Sequence, residues 1–298
     1  MGDNRDMEAS APAGPVVAGY VPDSNGADAL ALAAVLARVN RLPLQVVSVV
    51  TARSNEQVSD EVAARIREEV AGQLAGPEGP AEFELSVEVS RSPAKHLYEA
   101  AERTGASTIV IGPAKAKSRL WRSGKVVNSL LEGAPCAVAV APAGYAARAP
   151  EKFERVAVAF NRSDEAAAAT AEAERLALAS GATLTLVSVA EPVPPGYGAV
   201  VAALTASEWE SKEEKEKRAA LDAAVAELRE RNERGGLLVE GELLGGVPGD
   251  KLAEASGRFD VFVIGSREYG PIRRTLVGST SRALVSRSAC PVLVTPRP

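Results

Sequence analysis

Short apolar runs alternate with longer amphipathic segments along most of the chain. In the second half, Val-rich runs at residues 155–160 and 183–189 flank an Ala-rich segment at 164–180 whose composition favours a helix. Residues 261–265 ("VFVIG") are apolar at nearly every position, which is typical of parallel strands buried on both faces. Strands that alternate with helices predict parallel pairing through right-handed crossovers. The pattern therefore predicts an α/β fold.

The same order of elements occurs twice. Residues 14–50 and 154–190 each give a strand, a polar turn, an Ala/Leu-rich helix and a second strand. Each repeat predicts a five-stranded, doubly wound domain, with ligands expected where the turns after strands one and four meet. We predict a disordered tail at residues 1–14, a first domain at 15–145 and a second at 152–298, joined by an Ala/Pro-rich connector.

Helical periodicity also predicts which positions face the core. A helix in the first half shows apolar residues at four-residue spacing, and a long charged helix at residues 207–233 carries a sparser apolar set. The predicted inward positions are Val58, Val62, Ile66, Val70 and Leu74 in the first half, and Trp209, Leu221, Val225 and Leu228 in the second.

Composition narrows the class of protein. Hydrophobic residues make up 46% of the 298 residues and aromatic residues only 4%, so the core must be aliphatic. The net charge is −5 with both signs interspersed, which predicts no nucleic-acid surface. Two cysteines cannot form a disulfide framework, and no apolar run reaches the ~18 residues of a membrane helix. Residues 1–15 are acidic and lack a hydrophobic signal core, so we expect a cytoplasmic protein.

The stretch "GSREYGPIRRTLVGST", residues 265–280, has the chemistry of an anion-binding loop. Glycines let backbone N–H groups turn towards an anion, a helix N-terminus favours negative charge, and arginine can neutralise a phosphate. The same residues also fit a plain structural role, in which a glycine ends a strand, a serine caps a helix and the arginines are solvated. The candidate residues are Gly265, Arg267, Gly270, Gly278, Ser279 and Thr280.

These motifs resemble those of a tandem universal stress protein with two UspA-type domains. Nucleotide-binding members of that family carry G-x2-G-x9-G-[S/T] after strand four and an Asp at the end of strand one. The resemblance implies sheets of order 3-2-1-4-5, ATP or AMP with or without Mg²⁺ as the ligand, and an intramolecular pseudo-dimer whose last strands meet, while a further homodimer stays open. The residues that it adds to the site are Asn161, Ser163, Val189, Ala190 and Gly246.

The two halves depart from the family motif to different degrees. In the second half, Glu268 stands where the motif has its second glycine, and Asn161 stands where it has the Asp. In the first half the loop after Gly112 is one residue short, and Gly124-Lys125 replaces Gly-Ser. We therefore expect one nucleotide per chain, in the second half.

The sequence is compatible with three functions. They are a stress-response module that binds an adenine nucleotide, a nucleotide-independent interaction protein with decayed pockets, and a slow ATPase. The ATPase has the least support because the sequence shows no positioned general base or Walker-type Lys, and we predict no catalytic residue. His96 lacks a catalytic partner, Cys136 and Cys290 are expected to be buried small hydrophobes, and no metal-ligand cluster is predicted.

Overall fold

The chain folds into alternating strands and helices, as its pattern predicts. The computed structural model describes residues 14–50, 59–75, 82–113, 124–191, 199–268, 275–276 and 278–296. The strands of the first half are β1 (Gly14–Tyr20), β2 (Leu44–Val50), β3 (Phe83–Val89), β4 (Ala106–Ile111) and β5 (Ala137–Val140). Those of the second half are β6 (Arg155–Ala159), β7 (Thr183–Ala190), β8 (Val239–Gly245), β9 (Val261–Gly265), β10 (Arg267–Glu268), β11 (Thr275–Leu276) and β12 (Val292–Thr295).

Helices connect the strands in both halves. They are α1 (Ser24–Asn40), α2 (Asp60–Leu74), α3 (Pro93–Thr104), α4 (Lys125–Gly133), α5 (Asp164–Ser180), α6 (Ala199–Arg231), α7 (Pro248–Ala255) and α8 (Ser279–Arg287). The first helix of each half begins at a side-chain cap: Asp23 accepts from the backbone N–H groups of Asn25 and Gly26, and Ser163 accepts from that of Ala166. Among the described residues, no helix has the length and apolar character that a bilayer crossing requires.

Within the described residues, ten strands from both halves form one continuous sheet, in the order β3-β2-β1-β4-β5-β12-β9-β6-β7-β8. Each half therefore has the predicted order 3-2-1-4-5, and its strands pair in parallel. The halves join where β12 pairs antiparallel with β5, with Val292 opposite Val140 and Val294 opposite Val138. The prediction that the two last strands meet is confirmed, and neither of these apolar strands is left as an open edge.

Alternate residues of the strands point to two separate core layers. Val16 and Ala18 of β1 pack with side chains of α1, α2, α5 and α6 on one face of the sheet. Val17 packs with side chains of α3, α4, α7 and α8 on the other face. Burial on both faces explains why the strands are apolar at nearly every position.

The connector between the halves is anchored to α1 by a buried carboxylate. Asp28 is only 3% exposed, and its two oxygens accept from the backbone N–H groups of Gly144 and Ala146, each at 2.9 Å. Tyr145 and Phe153 of the same connector are buried in the core. Residues 143–154 are therefore a packed element of the structure and not a loose linker.

The structure corrects two details of the predicted helices. Val62 was expected to face the core, but it is 43% exposed because it lies in the first turn of α2, whereas Ile66, Val70 and Leu74 are buried as predicted. The long helix α6 begins at Ala199, eight residues before the predicted residue 207. Leu221, Val225 and Leu228 are buried as expected, while Val58 and the side chain of Trp209 lie outside the described residues. The domain limits 15–145 and 152–298 stay predictions, and residues 1–13 lie outside the described part of the chain.

Candidate functional site

A polar cleft of about 100 Å³ lies at the carboxyl ends of β6 and β9, where the strand order of the second half reverses. A doubly wound sheet is expected to bind its ligands at this place. The polar and charged residues that line the cleft are Asn161, Ser163, Glu165, Glu191, Lys217, Thr280 and Ser281. Apolar residues of β6, α5, β7, β9 and α7, together with Phe160, complete the described part of its wall.

The turn after β6 is held by its own side chains. Asn161 Oδ1 accepts from the backbone N–H of Ser163 at 3.2 Å, and Ser163 Oγ accepts from that of Ala166 at 3.2 Å. Between them Arg162 has a φ of 62°, which places it in the left-handed region. Asn161 and Ser163 therefore have a structural role as turn and cap residues, and both also face the cleft.

Gly265 is required by the packing of α5 against the end of β9. A Cβ at this position would collide with the backbone oxygen of Glu165 in the first turn of α5. The first half repeats this contact, because a Cβ at Gly112 would collide with the backbone oxygen of Asn25 in α1. Close packing against a helix thus explains the first glycine of each loop without any phosphate. Because the two contacts match, Glu165 and Asn25 occupy equivalent positions in the two halves.

The N-terminus of α8 opens at the same cleft. The N-cap residue of α8 is Gly278, which has no side chain that could accept from the N–H groups of the first turn. Ser281 is buried, and its hydroxyl donates to the carbonyl oxygen of Gly265 at 3.2 Å. Thr280 lines the cleft. This arrangement holds the helix N-terminus, with its favourable dipole for an anion, beside the end of β9.

Lys217 of α6 reaches across the cleft to the end of β7. Its Nζ donates to the carbonyl oxygen of Val189 at 2.7 Å and lies 2.9 Å from Glu213 Oε1. Its side chain is about one third exposed. The ammonium group thus occupies the carbonyl oxygen of Val189 near the end of β7, the second strand of this half.

The described lining of the cleft carries carboxylates. Glu165 and Glu191 line it, and its one described ammonium group, that of Lys217, already lies 2.9 Å from Glu213 Oε1. Like charges a few ångströms apart cost free energy, so a bare polyphosphate would meet repulsion from the Glu191 carboxylate. Carboxylate oxygens are also the ligands that Mg²⁺ prefers.

The predicted site residues are distributed unevenly around this cleft. Asn161, Ser163, Val189, Gly265 and Thr280 line it. Four others do not, and they are Ala190, Gly246, Gly278 and the exposed Ser279. The carbonyl of Ala190 accepts from the N–H of Gly246 at 2.9 Å, and Gly246 has a φ of 133°. The side chain of Arg267 and the whole of Gly270 lie outside the described residues, as does the side chain of Glu268.

The resemblance places the end of strand two, Val189 to Glu191, at the site, and Glu191 lines the cleft; three other polar residues of the lining were missed, namely Glu165, Lys217 and Ser281. Ser281 and Glu165 lie in the first turns of helices that the pattern predicts. Their position at the cleft follows once the turns after the first and fourth strands are placed side by side. Lys217 gives no such signal, because its contact with Val189 spans 28 residues of sequence.

The other candidate residues take structural positions. Cys290 is buried as expected, whereas Cys136 is only half-buried. Desolvation by the surrounding protein raises the pKa of each thiol to about 11. A thiol with so high a pKa is a weak nucleophile near neutral pH. His96 Nδ1 lies 3.2 Å from Glu88 Oε2 at the outer edge of the first half. No group of three or more His, Cys, Asp or Glu able to hold a metal occurs in the described part of the chain.

Comparison with known proteins places both halves in one family. Residues 14–142 and 152–296 each match the model of the Universal stress protein family. A universal stress protein of Mycobacterium tuberculosis is 24% identical over 303 aligned positions, which cover 94% of this chain and 99% of that protein. The similarity therefore runs over nearly the full length of both proteins.

Solved structures share the fold at low sequence identity. A universal stress protein from Archaeoglobus fulgidus gives a TM-score of 0.65 at 19% identity and covers 95% of this chain and 98% of its own. A putative universal stress protein from Pseudomonas aeruginosa gives 0.61 at 19% identity, with 95% and 92% covered. At these identities the likeness supports the fold alone.

Proposed function

Because the chain belongs to the universal stress protein family, we propose that it is a stress-response protein that binds one adenine nucleotide, ATP or AMP, in the cleft of its second half. The observation that carries this proposal is the convergence of Asn161, Thr280 and the N-terminus of α8 on one polar cleft at the switch point. The helix N-terminus and the Thr280 hydroxyl supply donors for a phosphate group.

The acidic lining sets the form of the ligand. Glu191 faces the cleft and Lys217 is already paired with Glu213, so the nucleotide enters with Mg²⁺, whose charge offsets the Glu191 carboxylate. Mg²⁺ is usually held by one or two carboxylates together with substrate phosphates, which fits a site whose described residues form no preformed cluster of metal ligands. Removal of Mg²⁺ is expected to weaken ATP binding more than AMP binding, because ATP carries the larger negative charge.

The base side of the cleft is closed by Lys217. A cavity of about 150 Å³ accommodates a benzene ring, and the present cleft of about 100 Å³ is smaller than the purine ring of adenine requires. Movement of Lys217 away from the carbonyl of Val189 opens this end and frees a backbone acceptor for the exocyclic amine of adenine. Nucleotide binding therefore includes the loss of the Lys217–Val189 hydrogen bond.

Calorimetric titration of Mg-ATP into three forms of the protein tests the proposal. Lys217→Ala removes a charged hydrogen bond of roughly 1.5–3 kcal/mol that nucleotide must otherwise break, so its affinity should rise at least about tenfold. Lys212→Ala is the matched control, since Lys212 is an exposed lysine on the same helix whose ammonium group contacts Glu216. Thr280→Val, which keeps the shape and removes the hydroxyl, should weaken binding several-fold.

The competing function is a nucleotide-independent interaction protein. Glu191 and the lysine that closes the cleft favour it, because the carboxylate repels a phosphate and Lys217 occupies the carbonyl oxygen of Val189. If neither wild type nor Lys217→Ala binds Mg-ATP or Mg-AMP at millimolar concentration, the nucleotide proposal fails and this second function stands.

A further inference from the structure

The first half contains a second cleft at the equivalent place, and it is larger and more apolar. Its volume is about 290 Å³, and its walls include Val47, Val49, Leu97, Ile111 and Val127. It lies at the carboxyl ends of β1 and β4, where the strand order of the first half reverses. The volume is close to the lower limit for small-molecule sites, and most such sites have predominantly apolar walls with a few polar groups.

The two clefts can be compared position by position because the strands pair in matching register. Gly19 lies opposite Val47 as Ala159 lies opposite Val187, so Val49 corresponds to Val189. The first turns of α4 and α8 also correspond, since each follows a glycine N-cap. By this alignment the hydroxyls of Thr280 and Ser281 are replaced by the aliphatic side chains of Val126 and Val127.

The charges differ in the same way. Asn25 occupies the position of Glu165, as their equivalent contacts with Gly112 and Gly265 show. Among the described lining residues of the first cleft, Lys125 is charged and no carboxylate is present. Lys125 is exposed at the first position of α4 and so lies at the mouth of the cleft.

From these features we infer that the first half is a binding site for a small carboxylic acid with an apolar body. The apolar walls receive the body, Lys125 at the mouth pairs with the carboxylate, and Asn25 offers a further polar contact. Since a cavity of about 150 Å³ holds the six carbons of benzene, a cleft of about 290 Å³ holds about a dozen non-hydrogen atoms. Decanoate has this size, and it is the probe for the test.

The test is calorimetric titration of the full chain with hexanoate, octanoate and decanoate below their micellar concentrations. Affinity should rise about fourfold for each added methylene, because each enters an apolar environment. Lys125→Ser should weaken decanoate binding about two- to fivefold, as expected for an exposed charge pair. Lys95→Ser is the matched control: it removes an exposed lysine of α3 that pairs with Glu99 and is not among the described lining residues, and it should leave binding unchanged.

The position of the ligand is tested by blocking one cleft at a time. Val49→Trp fills the first cleft and should abolish decanoate binding, whereas Val189→Trp, at the equivalent position of the second half, should preserve it. If Val49→Trp fails to fold, nuclear Overhauser contacts in wild type decide, and they should join decanoate to the methyl groups of Val47 and Leu97. The inference is wrong if contacts appear at Val187 and Leu252 instead, if affinity ignores chain length, if decylammonium binds as tightly as decanoate, or if Mg-ATP displaces decanoate.

Discussion

Asp28 is predicted to be the residue that fixes the connector between the halves. Its carboxylate is 3% exposed and accepts two backbone N–H groups, from Gly144 and Ala146, at 2.9 Å each. Hydrogen bonds to a charged acceptor contribute roughly 1.5–3 kcal/mol each, and a buried donor without a partner is costly. Asp28→Ala removes both bonds, but it also removes the cost of burying a carboxylate, so we expect a net loss of about 3 kcal/mol.

The conservative change separates charge and hydrogen bonding from side-chain size. In Asp28→Asn the amide oxygen can accept from one N–H, while its NH₂ group then faces the other donor, so we expect a loss of about 2 kcal/mol. For a chain of this size the loss of about 3 kcal/mol in Asp28→Ala lowers the melting temperature by roughly 5 °C. Asp222→Asn, on the exposed face of α6, is the matched control and should change the free energy of unfolding by less than about 0.5 kcal/mol.

Two measurements check the Asp28 prediction. Urea unfolding followed by circular dichroism gives the change in stability, and amide hydrogen exchange gives its location, because the N–H groups of Gly144 and Ala146 should lose protection first. If Asp28→Asn unfolds within about 0.5 kcal/mol of wild type and both amides keep their protection, the carboxylate does not anchor the connector and the reasoning is refuted.

Three further predictions concern the Tyr145 hydroxyl, the glycines of β9 and α2, and the two cysteines. Tyr145→Phe should leave stability unchanged or raise it by up to about 1 kcal/mol in thermal unfolding, because the Tyr145 hydroxyl is buried and has no hydrogen-bond partner among the described residues; a loss above 1 kcal/mol would contradict this. Gly265→Ala should cost about 1–3 kcal/mol, because its Cβ meets the backbone of α5, whereas Gly72→Ala, with open space around it in α2, should be neutral or stabilising by up to about 1 kcal/mol. Native Cys136 and Cys290 should react with iodoacetamide at pH 8 about 100-fold more slowly than in urea, because a pKa of about 11 lowers the thiolate fraction, and the native rate should rise with pH towards 11; equal native and unfolded rates would show that the pKa values are ordinary.

Much of the fold could be predicted from the sequence, because each half repeats the same apolar periodicity. The strand order and the pairing of β5 with β12 followed from that repeat, from the family resemblance and from the apolar character of the last strands. The prediction of the inward face of α2 was wrong at Val62. Periodicity marks one face of a helix but does not show where along its length the helix leaves the core.

The site was less predictable than the fold. Glycines in a loop suggest a phosphate, yet Gly265 has a packing reason that only the approach of α5 reveals. Lys217 and Asp28 act across 28 and 116 residues of sequence, and local pattern carries no information about such contacts. The apolar character of the first cleft emerged only when Val126 and Val127 could be matched to Thr280 and Ser281 through the structure.

We propose that the chain binds one nucleotide, in the second half. Methyl NMR of the full chain during titration with Mg-ATP tests this directly, because Val189 and Leu252 line the second cleft while their equivalents Val49 and Leu97 line the first. We expect saturation at one nucleotide per chain, with shifts at Val189 and Leu252 and none at Val49 and Leu97. Shifts at Val49 and Leu97, or no shifts at millimolar Mg-ATP, would contradict it.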